Sequence, residues 1–256
     1  MATIQTFSPH SLADRAIIAL RGDGILAFLH NILTCNVETL NQDRIVYGAL
    51  LSPQGKILHD VFVHYADHAV LLDCAKDSCD DLIAKLKLYR LRAKFDIALR
   101  DDLEVVAGTG AAHDPRHAAL GLRGVFARGG HPAGDAYVGV RFGLGIADSS
   151  EIGSNKLFPH EANFDLLGAV DFKKGCYIGQ EVVSRMQHRG TARNRIMSVT
   201  FENDPLTDEI RVGDTLLGEV LGRRGRAALA LIRTDRLADV GETPGLNITK
   251  PKWMKA

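Results

Sequence analysis

Lys174-Gly175-Cys176-Tyr177-Ile178-Gly179-Gln180-Glu181 is the stretch on which the reading of this chain turns. It sets one thiol between two glycines, beside lysines, where a helix should begin. Ile178, Val182 and Met186 recur every four residues, and Gln180, Glu181, Ser184, Arg185 and Gln187 fill the polar positions between them. That spacing predicts an amphipathic helix with Cys176 in or just before its first turn. Unsatisfied N–H groups and the helix dipole favour an anion there, Lys173 and Lys174 add positive charge, and all three effects favour thiolate over thiol. Gly175 and Gly179 permit close backbone approach or φ values that a Cβ would forbid. A free cysteine is ordinarily a small buried hydrophobe. The polar, glycine-flanked setting argues instead for a working thiol.

Basic residues continue as Arg185, His188, Arg189, Arg193 and Arg195, against only Asp171 and Glu181 between residues 171 and 195. The region should attract an anion, although charge alone does not distinguish a nucleic acid, a phosphorylated metabolite, a polycarboxylate tail and a merely solvated face. No RNA-binding signature accompanies it.

With Val182-Val183-Ser184-Arg185 and His188-Arg189-Gly190 following, the eight-residue run resembles the signature of the YgfZ family, folate-binding proteins related to the aminomethyltransferase (T-protein) of the glycine cleavage system. Other blocks agree in order, so the resemblance runs from about Phe28 to about Arg236. Phe28 to Val37, Leu51 to Asp60 with its Ser52-Pro53-Gln54-Gly55 turn, Leu86 to Lys94, and Phe158-Pro159-His160-Glu161-Ala162-Asn163-Phe164-Asp165 are all similar to family segments. Two positions depart from the aminomethyltransferase pattern. His59-Asp60 stands where that enzyme has paired Asp residues, and Arg141-Phe142-Gly143-Leu144-Gly145 lacks its acidic residue.

The resemblance implies an α+β, aminomethyltransferase-like fold of mostly antiparallel sheets, in which three domains surround a hole that holds a pterin. It further implies a protein that binds tetrahydrofolate or a one-carbon derivative and helps assemble, maintain or repair iron–sulfur clusters. Its partners would be folate and client iron–sulfur enzymes or cluster-assembly proteins. On that reading Cys176 binds iron, accepts sulfur or forms a mixed disulfide, and Lys174 stabilises its thiolate. Gln180 and Glu181 organise nearby groups, Gly175, Tyr177 and Gly179 complete the motif, and Arg185 recognises a folate carboxylate or the client. Ionised carboxylates accept paired N–H donors, which makes Asp60, Glu161 and Asp165, with Asn163 beside them, candidate pterin contacts. Two other readings stay open: a one-carbon transferase with another acceptor, and a noncatalytic folate sensor or scaffold.

Periodicity gives an outline compatible with this. Residues 15–20 read as a buried strand, and Asp23 as the N-cap of a helix carrying Ile25, Phe28, Leu29 and Ile32. Residues 44–51, 56–65 and 69–73 read as an antiparallel meander, with Ala66-Asp67-His68 as its second turn. A helix over 78–90 and short strands over 95–99 and 104–107 follow. The stretch from Gly108 to Asp135, rich in Gly, Ala, His and Arg, reads as a crossover or surface loop. Strands over 196–201, 214–220 and 227–233, with turns at Asp204-Pro205 and Gly222-Arg223-Arg224-Gly225, suggest a small C-terminal β-barrel. The expected division is an α+β region over 1–195 and a barrel over 196–256.

Composition limits the classes. A 256-residue chain, 46% hydrophobic, can bury a substantial core. Lys plus Arg equals Asp plus Glu at 31 each, so there is no overall electrostatic footprint for DNA, RNA or a membrane. Cys35, Cys74, Cys79 and Cys176 form no CxxC pair, which argues for reduced thiols and against a metal site at Cys74 and Cys79. With no long apolar run at the N-terminus, the expectation is a cytoplasmic protein.

Overall fold

The computed structural model describes residues 7–66, 69–190, 192–203, 207–237 and 245–254. Strands β1 (His10–Ser11) and β2 (Arg15–Gly22) lead into helix α1 (Ile25–Ile32). Gly24, not Asp23, is the N-cap of α1, in a left-handed conformation with no side-chain cap. Strands β3 (Val46–Leu51), β4 (Ile57–Ala66) and β5 (Ala69–Ala75) form the expected meander, followed by helix α2 (Cys79–Arg90) and strand β6 (Phe95–Leu99). They make a five-stranded antiparallel sheet in the order β3-β4-β5-β2-β6.

The strands bury both faces, each against a different partner. Ile18, Leu20, Val61, Val63, Leu72 and Cys74 pack under α1 and α2, while Tyr47, Ala49 and Phe62 point to the opposite side. This is the period-2 alternation of a strand, and it sends Asp60, Phe62 and His64 to one face of β4.

The Gly108 to Asp135 stretch is only partly loop. Strand β7 (Leu103–His113) runs through its start and pairs with β8 (Leu122–Ala127), while β1 closes a three-stranded sheet on the other edge of β7. Glycine suggested a breaker, but here it serves a bulge: Ala107 and Ala112 both oppose Arg123, so the ladder skips four residues. Gly110 has φ +138, and a Cβ there would lie 2.3 Å from the Arg123 carbonyl oxygen.

Helices α3 (Ala136–Leu144), α4 (Ser149–Ile152) and α5 (Gln180–Arg189) come next. Strands β9 (Asn194–Phe201), β10 (Glu209–Val212), β11 (Thr215–Arg224) and β12 (Ala227–Arg233), helix α6 (Thr234–Leu237) and strand β13 (Leu246–Thr249) complete the fold. The last five strands form an antiparallel sheet in the order β10-β11-β12-β9-β13 around its own apolar cluster. Strand β11 continues through Arg224, so the turn lies later than the sequence suggested. The proposed turn residues Asp67, His68, Asp204 and Pro205 lie outside the described residues.

Candidate functional site

Cys176 is exposed, whereas Cys35, Cys74 and Cys79 are buried. It lies three residues ahead of Gly179, the N-cap of α5, so it precedes the first helical turn instead of occupying it. Gly179 itself has φ +79, and a Cβ would fall 2.5 Å from the Ser52 carbonyl oxygen. Only glycine allows this loop to lie so close to the β3–β4 turn. Ile178 packs against the core beneath α1, and Val183 is the buried residue of α5, one position from the expected Val182. The thiol therefore stands on a loop anchored on both sides.

Lys174 supplies one of those anchors, and this corrects its expected role. Its ammonium donates to the backbone carbonyls of His30, Leu33 (2.6 Å) and Cys35 (3.0 Å), at and just beyond the C-terminus of α1. These carbonyls have no partner within the helix, and the negative end of the helix dipole favours a cation there. Burial pulls the Lys174 pKa below the ordinary lysine value, opposed in part by neighbouring Cys35, Asp171 and Glu38. The ammonium's three hydrogen bonds thus go to the end of α1. Tyr177 is buried below Lys174, whose Nζ lies 5.2 Å from the ring centroid. Arg185 is paired with Glu181 (2.6 Å) on the exposed side of α5, while Lys173 is exposed in the thiol segment and His188 and Arg189 are exposed at the far end of α5.

The four proposed ligand contacts do not converge. Glu161 accepts from the Phe158 N–H (3.0 Å) and from Asn194 Nδ2 (3.1 Å). Asn163, at φ +63, donates to the Ile196 carbonyl (2.9 Å). Asp165 receives both ends of Arg195, at 2.9 and 2.8 Å. This segment fastens the start of β9 to the preceding chain, and Glu161, Asn163 and Asp165 are engaged there.

Asp60 has different neighbours. It is 2% exposed and accepts from Tyr47 Oη (3.1 Å) and, through a short contact, from Ser149 Oγ. Around it lies a buried ionic network that sequence reasoning missed. Arg15 donates to Asp73 (2.6 Å) and Asp148 (3.1 Å), and Arg123 donates to Asp73 (2.8 Å). Arg116 grips Asp114 (3.0 Å), and Arg141 grips Glu151 (2.6 Å). Arg123 and Arg116 also stack on Phe62, 3.9 and 4.7 Å from the ring centroid.

Four guanidinium groups thus face five carboxylates. Asp60 is the carboxylate with no guanidinium partner within ion-pair distance among the described residues. Burial, and then the Asp148 charge, raise its pKa above the ordinary carboxylate value. Burial acts in the same direction on Asp73, but Arg123 and Arg15 outweigh it and hold that carboxyl well below the usual range. Asp60 lines a cavity of about 190 Å³ together with His59, Ser149, Ser78 and Ile152. His59 bonds Asp81 through Nε2 (2.8 Å), leaving its buried Nδ1 without a partner.

Comparison with known proteins places this geometry. Residues 193–256 match the family description "CAF17, C-terminal beta-barrel domain". A Chaetomium globosum protein named iron-sulfur cluster assembly factor IBA57 homolog, mitochondrial, is 30% identical over 91% of this chain and 74% of its own length. Proteins of the same name from Pyricularia oryzae and Neurospora crassa are 33% and 30% identical, over 73% and 78% of this chain. The chain spans only 56% and 55% of the lengths of these two. The glycine cleavage system aminomethyltransferase T from Bartonella henselae shares the fold, with a TM-score of 0.72 at 12% identity over 96% of this chain and 85% of that one. The relatives' names overturn the cytoplasmic expectation, pointing to mitochondria. Balanced charge and reduced thiols suit any reducing compartment and did not discriminate. No described helix is long and apolar enough to cross a membrane.

Proposed function

The chain belongs to the family of IBA57-type iron–sulfur cluster assembly factors, and on that premise we propose that it serves cluster assembly or repair in other proteins, with Cys176 as the atom that meets the iron. The observation that carries this reading is the contrast among the four cysteines: three are buried, and Cys176 alone is exposed, on a loop anchored by Lys174 and Gly179. The thiol releases its proton to solvent, and the resulting thiolate donates a lone pair to iron. One cysteine supplies one ligand, so the remaining ligands of a transferred cluster come from a partner protein. Exposed Lys173, His188 and Arg189 suit a partner that carries negative charge around its cluster. The relatives' names support a mitochondrial setting.

The finer reading adds tetrahydrofolate or a one-carbon derivative as a ligand beside Asp60. What supports it is the aminomethyltransferase-like fold together with a buried carboxylate that has no guanidinium partner and faces a cavity. When ionised, Asp60 accepts paired N–H donors of the kind a pterin ring presents. Of the expected contacts, Asp60 fits this role. Glu161, Asn163 and Asp165 are held by β9 and do not.

Calorimetric titration with tetrahydrofolate, alongside iron–sulfur enzyme activity in cells that depend on this protein, separates the two parts. Cys176→Ser should retain folate binding and fail to support the enzymes, whereas Asp60→Asn should lose folate binding. Full support of the enzymes by Cys176→Ser would refute the thiol reading. Absence of binding to folded wild type would refute the folate reading and leave the first intact.

A further inference from the structure

A second cavity, of about 290 Å³, lies toward the far end of β4, between the large sheet and the bulge of β7. Among the described residues its walls contain no Asp or Glu, yet they include Arg44, His64 and Arg123. His64 is 6% exposed, and its Nε2 has no hydrogen-bond partner among the described residues. The nearest acidic oxygen, Asp73 Oδ2, is 3.6 Å away and already receives Arg123. Arg44 is exposed on the turn that closes back to Asn41, and its guanidinium has no ion pair among the described residues. The remaining walls are apolar or aromatic, with Tyr65 and Phe126 at the edge and Leu71 and Val125 beneath. Gly110 contributes no side chain, and its φ and its closeness to the Arg123 carbonyl exclude one.

We infer that this cavity binds an oxyanion carried on an aromatic ring, an aryl carboxylate or an aryl phosphate ester. Arg44 supplies a charge-assisted contact at the mouth and His64 a second polar contact at depth, while the ring lies against Tyr65 and Phe126. The nearest carboxylate, Asp73, is neutralised by Arg15 and Arg123, so an anion beside His64 meets no uncompensated negative charge there. The site is separate from the cavity beside Asp60. Phe62 stands between Asp60 and His64 on the same face of β4, covered by the Arg123 and Arg116 guanidinium groups. Its occupancy therefore does not depend on the folate reading.

Titration of the full chain with benzoate, phenyl phosphate and the neutral benzyl alcohol, followed by protein NMR, tests the inference. At least one of the two anions should saturate with shifts at β4, β7 and β8, weakening about tenfold or more in Arg44→Gln and in His64→Gln. Preference for benzoate assigns the carboxylate source, and preference for phenyl phosphate the ester. Benzyl alcohol binding as tightly as the anions, an affinity unchanged in both variants, or no binding of either anion overturns the site. Because Arg44 is exposed, its variant keeps the test decisive even if His64→Gln folds poorly.

Discussion

Replacing Lys174 with methionine keeps the aliphatic stem and removes the ammonium that joins the thiol loop to α1. The three carbonyls of His30, Leu33 and Cys35 lose a charged donor in a site where Lys174 is only 9% exposed. Leaving one buried acceptor unsatisfied costs about 1–3 kcal/mol, and losing a cation at a helix C-terminus costs about 0.3–1 kcal/mol. The expected destabilisation is therefore about 2–4 kcal/mol, a large share of the roughly 5–15 kcal/mol that holds a typical domain folded. Urea unfolding monitored by far-UV circular dichroism measures it, provided the transition stays single and its slope is unchanged. The same variant separates anchoring from activation. If Lys174 serves α1, the pH–rate profile for Cys176 alkylation in the folded variant should superimpose on that of wild type. A stability loss under about 0.5 kcal/mol, or a clear slowing of alkylation near neutral pH, would refute the anchoring argument.

Four further outcomes are expected. Asp73→Asn leaves Arg15 and Arg123 without their shared carboxylate and should cost about 3–5 kcal/mol in thermal or urea unfolding. Because Asp73, Asp114 and Asp148 are held below the ordinary carboxylate range, their stabilising effect is present above about pH 4 and is lost as pH falls further; Asp73→Asn should flatten that acid limb. Asp60 has the opposite sign: its raised pKa favours the fold below about pH 4, and that stability is lost as pH rises through the folded value, so the stability of Asp60→Asn relative to wild type should increase from pH 4 to pH 7. Gly179→Ala forces a Cβ to 2.5 Å from the Ser52 carbonyl oxygen at a positive φ; chemical denaturation should show a loss of about 1–3 kcal/mol, and a neutral result would contradict the close approach of the two loops.

The sequence made the meander, helices α1, α2 and α5 and the barrel legible because each depends on local alternation or helical spacing. It also singled out Cys176, since the glycines and charges that keep the thiol at the surface are its immediate neighbours. Lys174 was misread for the complementary reason: its acceptors lie about 140 positions earlier in the chain, at the end of α1, and nothing near residue 174 announces them. The network around Asp73 was invisible in the same way, with its members on β2, β5, β8, the segment after β7, α3 and the start of α4. Each of its arginines reads as a surface charge in isolation, and only the folded sheets bring Arg15, Arg116 and Arg123 together over Phe62. Residues 108–113 were mistaken for a loop because a bulged strand and a loop use the same glycines.

The central claim is that Cys176 takes part in cluster delivery. Its most direct test is reconstitution of a purified apo iron–sulfur enzyme with ferrous iron, sulfide and a cluster-scaffold protein, with the wild-type chain or Cys176→Ser added in equal amounts. Wild type should accelerate recovery of the enzyme's visible absorbance and activity, while an equally stable Cys176→Ser protein leaves the rate at the level seen with no addition. Equal acceleration by both proteins would contradict the account.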